Sequence, residues 1–113
     1  MQCSVVIPTY QRPALLERVL DALALQTLEP HEFEIIVCDD AGSSVTREVV
    51  DRWRGTHDVA ISYITGATPT RGPAAMRNAG WRIARTSRRV IWSASHFRVT
   101  ADAMKQALAA APR

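Results

Sequence analysis

The stretch Glu34-Ile35-Ile36-Val37-Cys38-Asp39-Asp40 decides the fold. Its apolar residues run on without the alternation of a half-exposed strand, then stop at two adjacent carboxylates. A continuous apolar strand is buried on both faces, the setting of a parallel sheet covered by helices on each side. Its acidic end marks the carboxyl edge of the strand, where open parallel sheets bind their ligands.

Upstream, Cys3-Ser4-Val5-Val6-Ile7 reads as a first strand closed by Pro8. Pro13 suits the first turn of a helix, and Leu15, Leu16, Val19, Leu20 and Leu23 recur on one face of it; Pro30 closes the region that follows. Downstream, Asp39 to Ser44 is a loop in which Gly42 is free to take an unusual dihedral. Ser43 or Ser44 caps a second helix carrying Val49, Val50 and Trp53 and ending at Gly55. Ile61 to Ile64 is a third strand. After a loop from Thr65 to Gly72, Pro73 opens a third helix with Ala75, Ala79 and Ile83 facing the sheet. Val90-Ile91-Trp92 is a fourth strand, and Thr100 caps a last helix over Ala101 to Ala111. The β-α alternation predicts an α/β three-layer sandwich with a mostly parallel central sheet, in one domain over residues 1–113.

Composition narrows the function classes. A hydrophobic share of 47% in 113 residues suits one folded domain with a modest core. The net charge of +3 comes from 14 basic and 11 acidic residues, and every base but Lys105 is arginine. The arginines are scattered and aromatic residues are few, so no nucleic-acid partner is expected; a pyrophosphate suits them equally well. Cys3 and Cys38 lie in apolar runs and read as buried thiols of a reducing compartment, with a disulfide between neighbouring strands as the minor alternative. A strand begins within a few residues of Met1, leaving no room for a signal peptide, and no apolar run reaches membrane-spanning length. A cytoplasmic location is the resulting expectation.

The candidate site is the set of polar residues at the carboxyl edges. Asp39 and Asp40 end the second strand; either one can accept hydrogen bonds from a base or ribose, and either can instead cap the turn. Adjacent carboxylates in an extended chain point to opposite sides, so one can bind ligand while the other serves structure. Thr9, with its backbone, can contact a base, and Arg12 can reach a phosphate or be solvated surface, as can Arg71. Arg77 and Asn78 fall inside the third helix, where Arg77 either approaches the ligand or pairs at the surface. His96 follows the fourth strand, as a metal or phosphate ligand or as an ordinary loop residue. His31 and His57 show no metal-ligand spacing, and Ser93 and Ser95 have no base to activate them. Neither a Gly-x-Gly-x-x-Gly fingerprint nor a Walker loop occurs.

Three separated segments now carry a resemblance: Val5-Val6-Ile7-Pro8-Thr9-Tyr10-Gln11-Arg12-Pro13, Ile35-Ile36-Val37-Cys38-Asp39-Asp40-Ala41-Gly42-Ser43 and Gly72-Pro73-Ala74-Ala75-Met76-Arg77-Asn78-Ala79-Gly80. In this order they resemble the N-terminal, nucleotide-binding half of the inverting family-two glycosyltransferases, which have the GT-A fold. The resemblance implies a nucleoside diphosphate sugar as partner, most often UDP-linked. It implies that Asp39 binds the base, that Pro8 and Thr9 line the base pocket, and that Arg77 and Asn78 shape the site around the base and diphosphate. It implies a divalent Mg2+ or Mn2+ ion, held by an Asp-x-Asp after the fourth strand, to offset the departing diphosphate.

Two departures qualify that expectation. The positions matching the aspartates read Ala94, Ser95 and His96, and the only acidic residue after Asp58 is Asp102. His96 is then the one metal-ligand candidate of that loop. The family's catalytic base and acceptor-binding surface lie beyond the matched half, so no residue of this chain is assigned as catalytic, and the expectation is a catalytically incomplete, truncated domain. The alternatives are a degenerate module that binds a nucleotide or a protein without catalysis, and a truncated gene product. In the last case Trp92 and Phe97 would be partly uncovered, and a homo-oligomer or a missing C-terminal region would cover them.

Overall fold

The computed structural model describes residues 3–25, 30–65, 73–86 and 89–91. The run that decides the fold forms strand β2, Phe33–Asp39, buried at every position. Around it the chain alternates as expected: β1 Cys3–Thr9, α1 Pro13–Ala24, a short 3-10 turn Pro30–Glu32, β2, α2 Ser44–Thr56, β3 Ala60–Thr65, α3 Pro73–Ile83 and β4 Arg89–Ile91. The sheet order is β3-β2-β1-β4, and every pairing is parallel. The chain winds outward from β1 through β2 to β3, then returns across the sheet to place β4 on the other side of β1. That reversal makes β1 the switch point, next to which a doubly wound sheet opens its ligand crevice.

The pleat sorts the side chains between two layers. Cys3, Val5 and Ile7 of β1 and Phe33, Ile35 and Val37 of β2 pack with Leu16, Val19, Leu20 and Leu23 of α1 and with Val49, Val50 and Trp53 of α2. Each large side chain buried there contributes about 1.5–3 kcal/mol relative to exposure. On the other face Val6, Ile36 and Cys38 form a smaller cluster with Ile64 and Ala84. Helix α3 sits on this second face through Gly80. A methyl group at Gly80 would lie 2.7 Å from Cys38 Sγ and 2.8 Å from Val6 Cγ1. The absent side chain is what lets the helix backbone rest on the sheet.

Several expectations change. Pro8 does not close β1, which continues through Thr9. The Thr9 carbonyl faces β2, accepting from the Asp40 amide at 3.1 Å, so the missing N–H of Pro8 points the other way and costs no β1–β2 bond. Gly55 does not end α2; the helix continues to Thr56, whose hydroxyl donates to the Trp53 carbonyl at 3.1 Å while His57 stacks on the Trp53 ring. Helix α3 is turned by one residue from the predicted phase: Gly80 and Ala84 meet the sheet and Ile83 is exposed, because only a glycine fits so close to Val6 and Cys38. Cys3 and Cys38 lie on opposite faces of the sheet, so no disulfide joins them. Trp92, Phe97 and the helix expected over 101–111 lie outside the described residues. Among the described residues no helix is long and apolar enough to cross a membrane.

Candidate functional site

The turn after β2 is built by Asp39. Its side chain is completely buried, and its carboxylate accepts from the Ala41 amide at 3.1 Å, the Ser43 amide at 2.9 Å and the Tyr63 hydroxyl at 2.6 Å. Gly42 adopts φ +63, the left-handed conformation the turn demands. Ser43 then caps α2, its side chain accepting from the Thr46 amide at 3.5 Å. Asp39 therefore turns its carboxylate to shaping the loop.

Asp40 is different. It is half-buried, and its Oδ1 is shielded from water without a hydrogen-bond partner among the described residues. The hydroxyl of Thr9, at the adjacent strand end, is in the same condition. The two residues are tied by the bond from the Asp40 amide to the Thr9 carbonyl. Thr46 Oγ1 and Trp53 Nε1 are also unpartnered among the described residues, but both belong to α2 and not to the strand ends. Unsatisfied buried oxygens are rare because each costs about 1–3 kcal/mol, and these two leave hydrogen-bonding capacity open at the sheet's carboxyl edge among the described residues.

The rest of the edge follows from β1. Pro8 is half-buried beside Cys38 in register. Tyr10 is exposed, and Gln11, at φ +50, swings the chain into α1, where Arg12 is the exposed residue preceding Pro13. Fold and turn thus bring Pro8, Thr9, Arg12, Asp39 and Asp40 to one edge. Arg77 and Asn78 are on α3: Asn78 is exposed, and position 77 lies one turn before Gly80, while the side chain of Arg77 lies outside the described residues. Arg71, Ser93, Ala94, Ser95 and His96 lie outside them altogether.

The donor chemistry of the expected metal loop does not fit a hard divalent ion. Ala94 offers no donor, Ser95 a neutral hydroxyl and His96 one imidazole, whereas Mg2+ takes oxygen ligands and carboxylates above all. Among the described residues no three His, Cys, Asp or Glu side chains gather to hold a metal.

Two groups escaped the sequence reading. Tyr63, half-buried on β3, is held far above its ordinary titration range, first by burial and then by the hydrogen bond to Asp39 and the charge on it, so it remains a donor. Only the register, Val37 beside Tyr63 and Asp39 beside Thr65, brings Tyr63 to Asp39. At the opposite end of the sheet, buried Glu34 accepts from Ser4 at 2.6 Å and from the Arg85 amide at 2.7 Å, with the Arg85 guanidinium at 3.2 Å. Burial opposes its ionisation, but these donors outweigh burial and hold Glu34 below the usual carboxylate range. An isolated Glu inside an apolar run was the available signal. Cys38 is no nucleophile: burial pushes its thiol up to about 12.

Comparison with known proteins agrees with this architecture. Residues 4–113 match the family described as Glycosyl transferase family 2. A validoxylamine A glucosyltransferase of Streptomyces hygroscopicus subsp. limoneus is 43% identical over 81 residues, covering 72% of this chain and 17% of the relative. The poly(ribitol-phosphate) beta-N-acetylglucosaminyltransferase TarS of Staphylococcus aureus is 32% identical over 78 residues, covering 69% and 13%. Among solved structures, the mannosyltransferase PcManGT of Pyrobaculum calidifontis, in complex with GDP-Man and Mn2+, superposes with a TM-score of 0.80 at 29% identity, covering 96% of this chain and 31% of that one. S. aureus TarS 1-349 in complex with UDP-GlcNAc gives 0.81 at 25% identity, covering 96% and 30%. The chain thus spans less than a fifth of the length of these curated relatives. With the parallel sheet, the helices on both its faces and a match along almost its whole length, the chain belongs to glycosyltransferase family 2 and has the GT-A fold.

Proposed function

We propose that this chain is the donor-binding part of a glycosyltransferase, taking a nucleoside diphosphate sugar, UDP-linked, with its base at the carboxyl edge of β1 and β2. The observation that carries the reading is the pair of unpartnered buried oxygens, Asp40 Oδ1 and Thr9 Oγ1, on neighbouring strand ends. A uracil ring has one N–H flanked by two carbonyls. The N–H would donate to the Asp40 carboxylate, and Thr9 would line the base pocket from the neighbouring strand end. The base-binding role expected of Asp39 passes in this reading to Asp40, because Asp39 already accepts three hydrogen bonds within the protein. The complexes of TarS with UDP-GlcNAc and UDP support the choice of uracil, and GDP-Man in PcManGT keeps a nucleotide as the class.

Arg12, exposed just before α1, would reach the diphosphate, and Arg77 and Asn78 would border the ligand from α3. No metal step is included, since Ala94, Ser95 and His96 do not make a carboxylate clamp. At this edge Asp39 is engaged by the turn and Asp40 would be engaged by the base, so in this reading the stretch binds donor and leaves deprotonation of an acceptor hydroxyl to other residues. Titration calorimetry with UDP tests the reading. Asp40→Asn should weaken binding by about 10- to 100-fold, the effect of losing a charge-assisted hydrogen bond in a shielded site. Affinity within twofold of the unsubstituted chain would remove Asp40 from the site.

A further inference from the structure

We propose that Tyr63 is a positioning residue for nucleotide binding: its phenol tethers the turn after β2 to the sheet through Asp39 and thereby fixes the direction of the Asp40 carboxylate. The inference rests on the reading of Asp40 as the base-binding group.

Asp39 receives three hydrogen bonds, and two of them, from Ala41 and Ser43, come from the turn itself. Such local bonds tie the turn only to the end of its own strand. The third, from Tyr63 at 2.6 Å, comes from another strand 24 residues away and is the short one. Register makes it possible, for Tyr63 pairs with Val37, two residues before Asp39 and on the same face of the sheet. Bonds to an ionised acceptor in a dry setting are strong and directional, so this one holds the Asp39 side chain in a single orientation. Asp40 follows directly, pinned at its amide to the Thr9 carbonyl. With Asp39 clamped on one side and that amide on the other, Asp40 carries its carboxylate as a pre-oriented acceptor, and a ligand need not order it on binding. The phenol stays protonated, so the tether holds throughout the neutral range.

Tyr63→Phe removes the oxygen and keeps the ring. The test measures UDP affinity by calorimetry and the hydrogen exchange of the Ala41 and Ser43 amides by NMR, with Ile61→Val as a core control on the same strand. Tyr63→Phe should bind UDP about tenfold more weakly and exchange both amides faster, while amides of β1 and β2 keep their protection; Ile61→Val should retain affinity. Equal affinity of Tyr63→Phe and the unsubstituted chain, or unchanged exchange at Ala41 and Ser43, overturns the inference. If the unsubstituted chain binds no UDP, the base-site reading falls, and the exchange result alone decides whether Tyr63 holds the turn.

Discussion

Replacing Gly80 by alanine tests the closest contact in the fold. In an exposed helix interior the change stabilises by about 0.8–1 kcal/mol, because alanine loses less backbone entropy. At Gly80 the new methyl would sit 2.7 Å from Cys38 Sγ and 2.8 Å from Val6 Cγ1, with Ile36 Cγ2 at 3.6 Å. Ordinary contact needs about 3.5–4.0 Å. Helix α3 must therefore lift by roughly 1 Å, or the two side chains must leave their rotamers; neither is the free end of a long flexible chain. Overpacking of this kind costs about 1–3 kcal/mol, so after the helix-propensity gain the net loss should reach up to about 2 kcal/mol. For a domain of this size that lowers the melting temperature by up to about 10 °C. Urea unfolding followed by tryptophan fluorescence, with Trp53 as the buried reporter, measures it. Gly55→Ala supplies the control: Gly55 is also helical, but its added methyl meets nothing within 4 Å, so that variant should gain about 0.5–1 kcal/mol. Opposite signs at the two positions are the expected result. A Gly80→Ala variant as stabilised as Gly55→Ala would refute the close packing of α3 on the sheet.

The turn after β2 should resist alanine for a different reason: Gly42→Ala puts a side chain at φ +63 with no steric neighbour nearer than 3.9 Å, and the left-handed strain alone should cost about 1–2 kcal/mol in the urea midpoint. Glu34 predicts the pH dependence. Its folded pKa lies below its unfolded value of 4.5, so its contribution is fully present above that value and is lost as pH falls through the folded pKa. Urea midpoints should fall more steeply below about pH 4.5 for the unsubstituted chain than for Glu34→Gln, which should itself be less stable by about 1–3 kcal/mol at pH 7; parallel profiles would show that Glu34 is not the group responsible.

Local patterns reach a long way in this chain. The helix starting at Pro13, a serine cap at Ser43 or Ser44, the unusual dihedral at Gly42 and the two buried strands were legible because each depends on neighbours within a few residues. The roles within the acidic pair were not. Sequence shows that adjacent carboxylates diverge, but which one turns inward depends on the pairing of β2 with β3, which delivers Tyr63 to Asp39. The phase of α3 was misread by one residue because hydrophobicity favours Ala79 and Ile83, while the sheet beneath admits only Gly80. The Glu34 network joins residues 30 and 51 positions apart, beyond any local signal.

The sequence by itself determined the α/β alternation, the parallel sheet and the acidic carboxyl edge, since hydrophobic period and turn chemistry are properties of short segments. Tertiary structure alone decided which oxygens at that edge are spent and which remain open. Hydrogen-bond satisfaction is settled by strand register and helix docking, and these bring together groups that the chain keeps far apart.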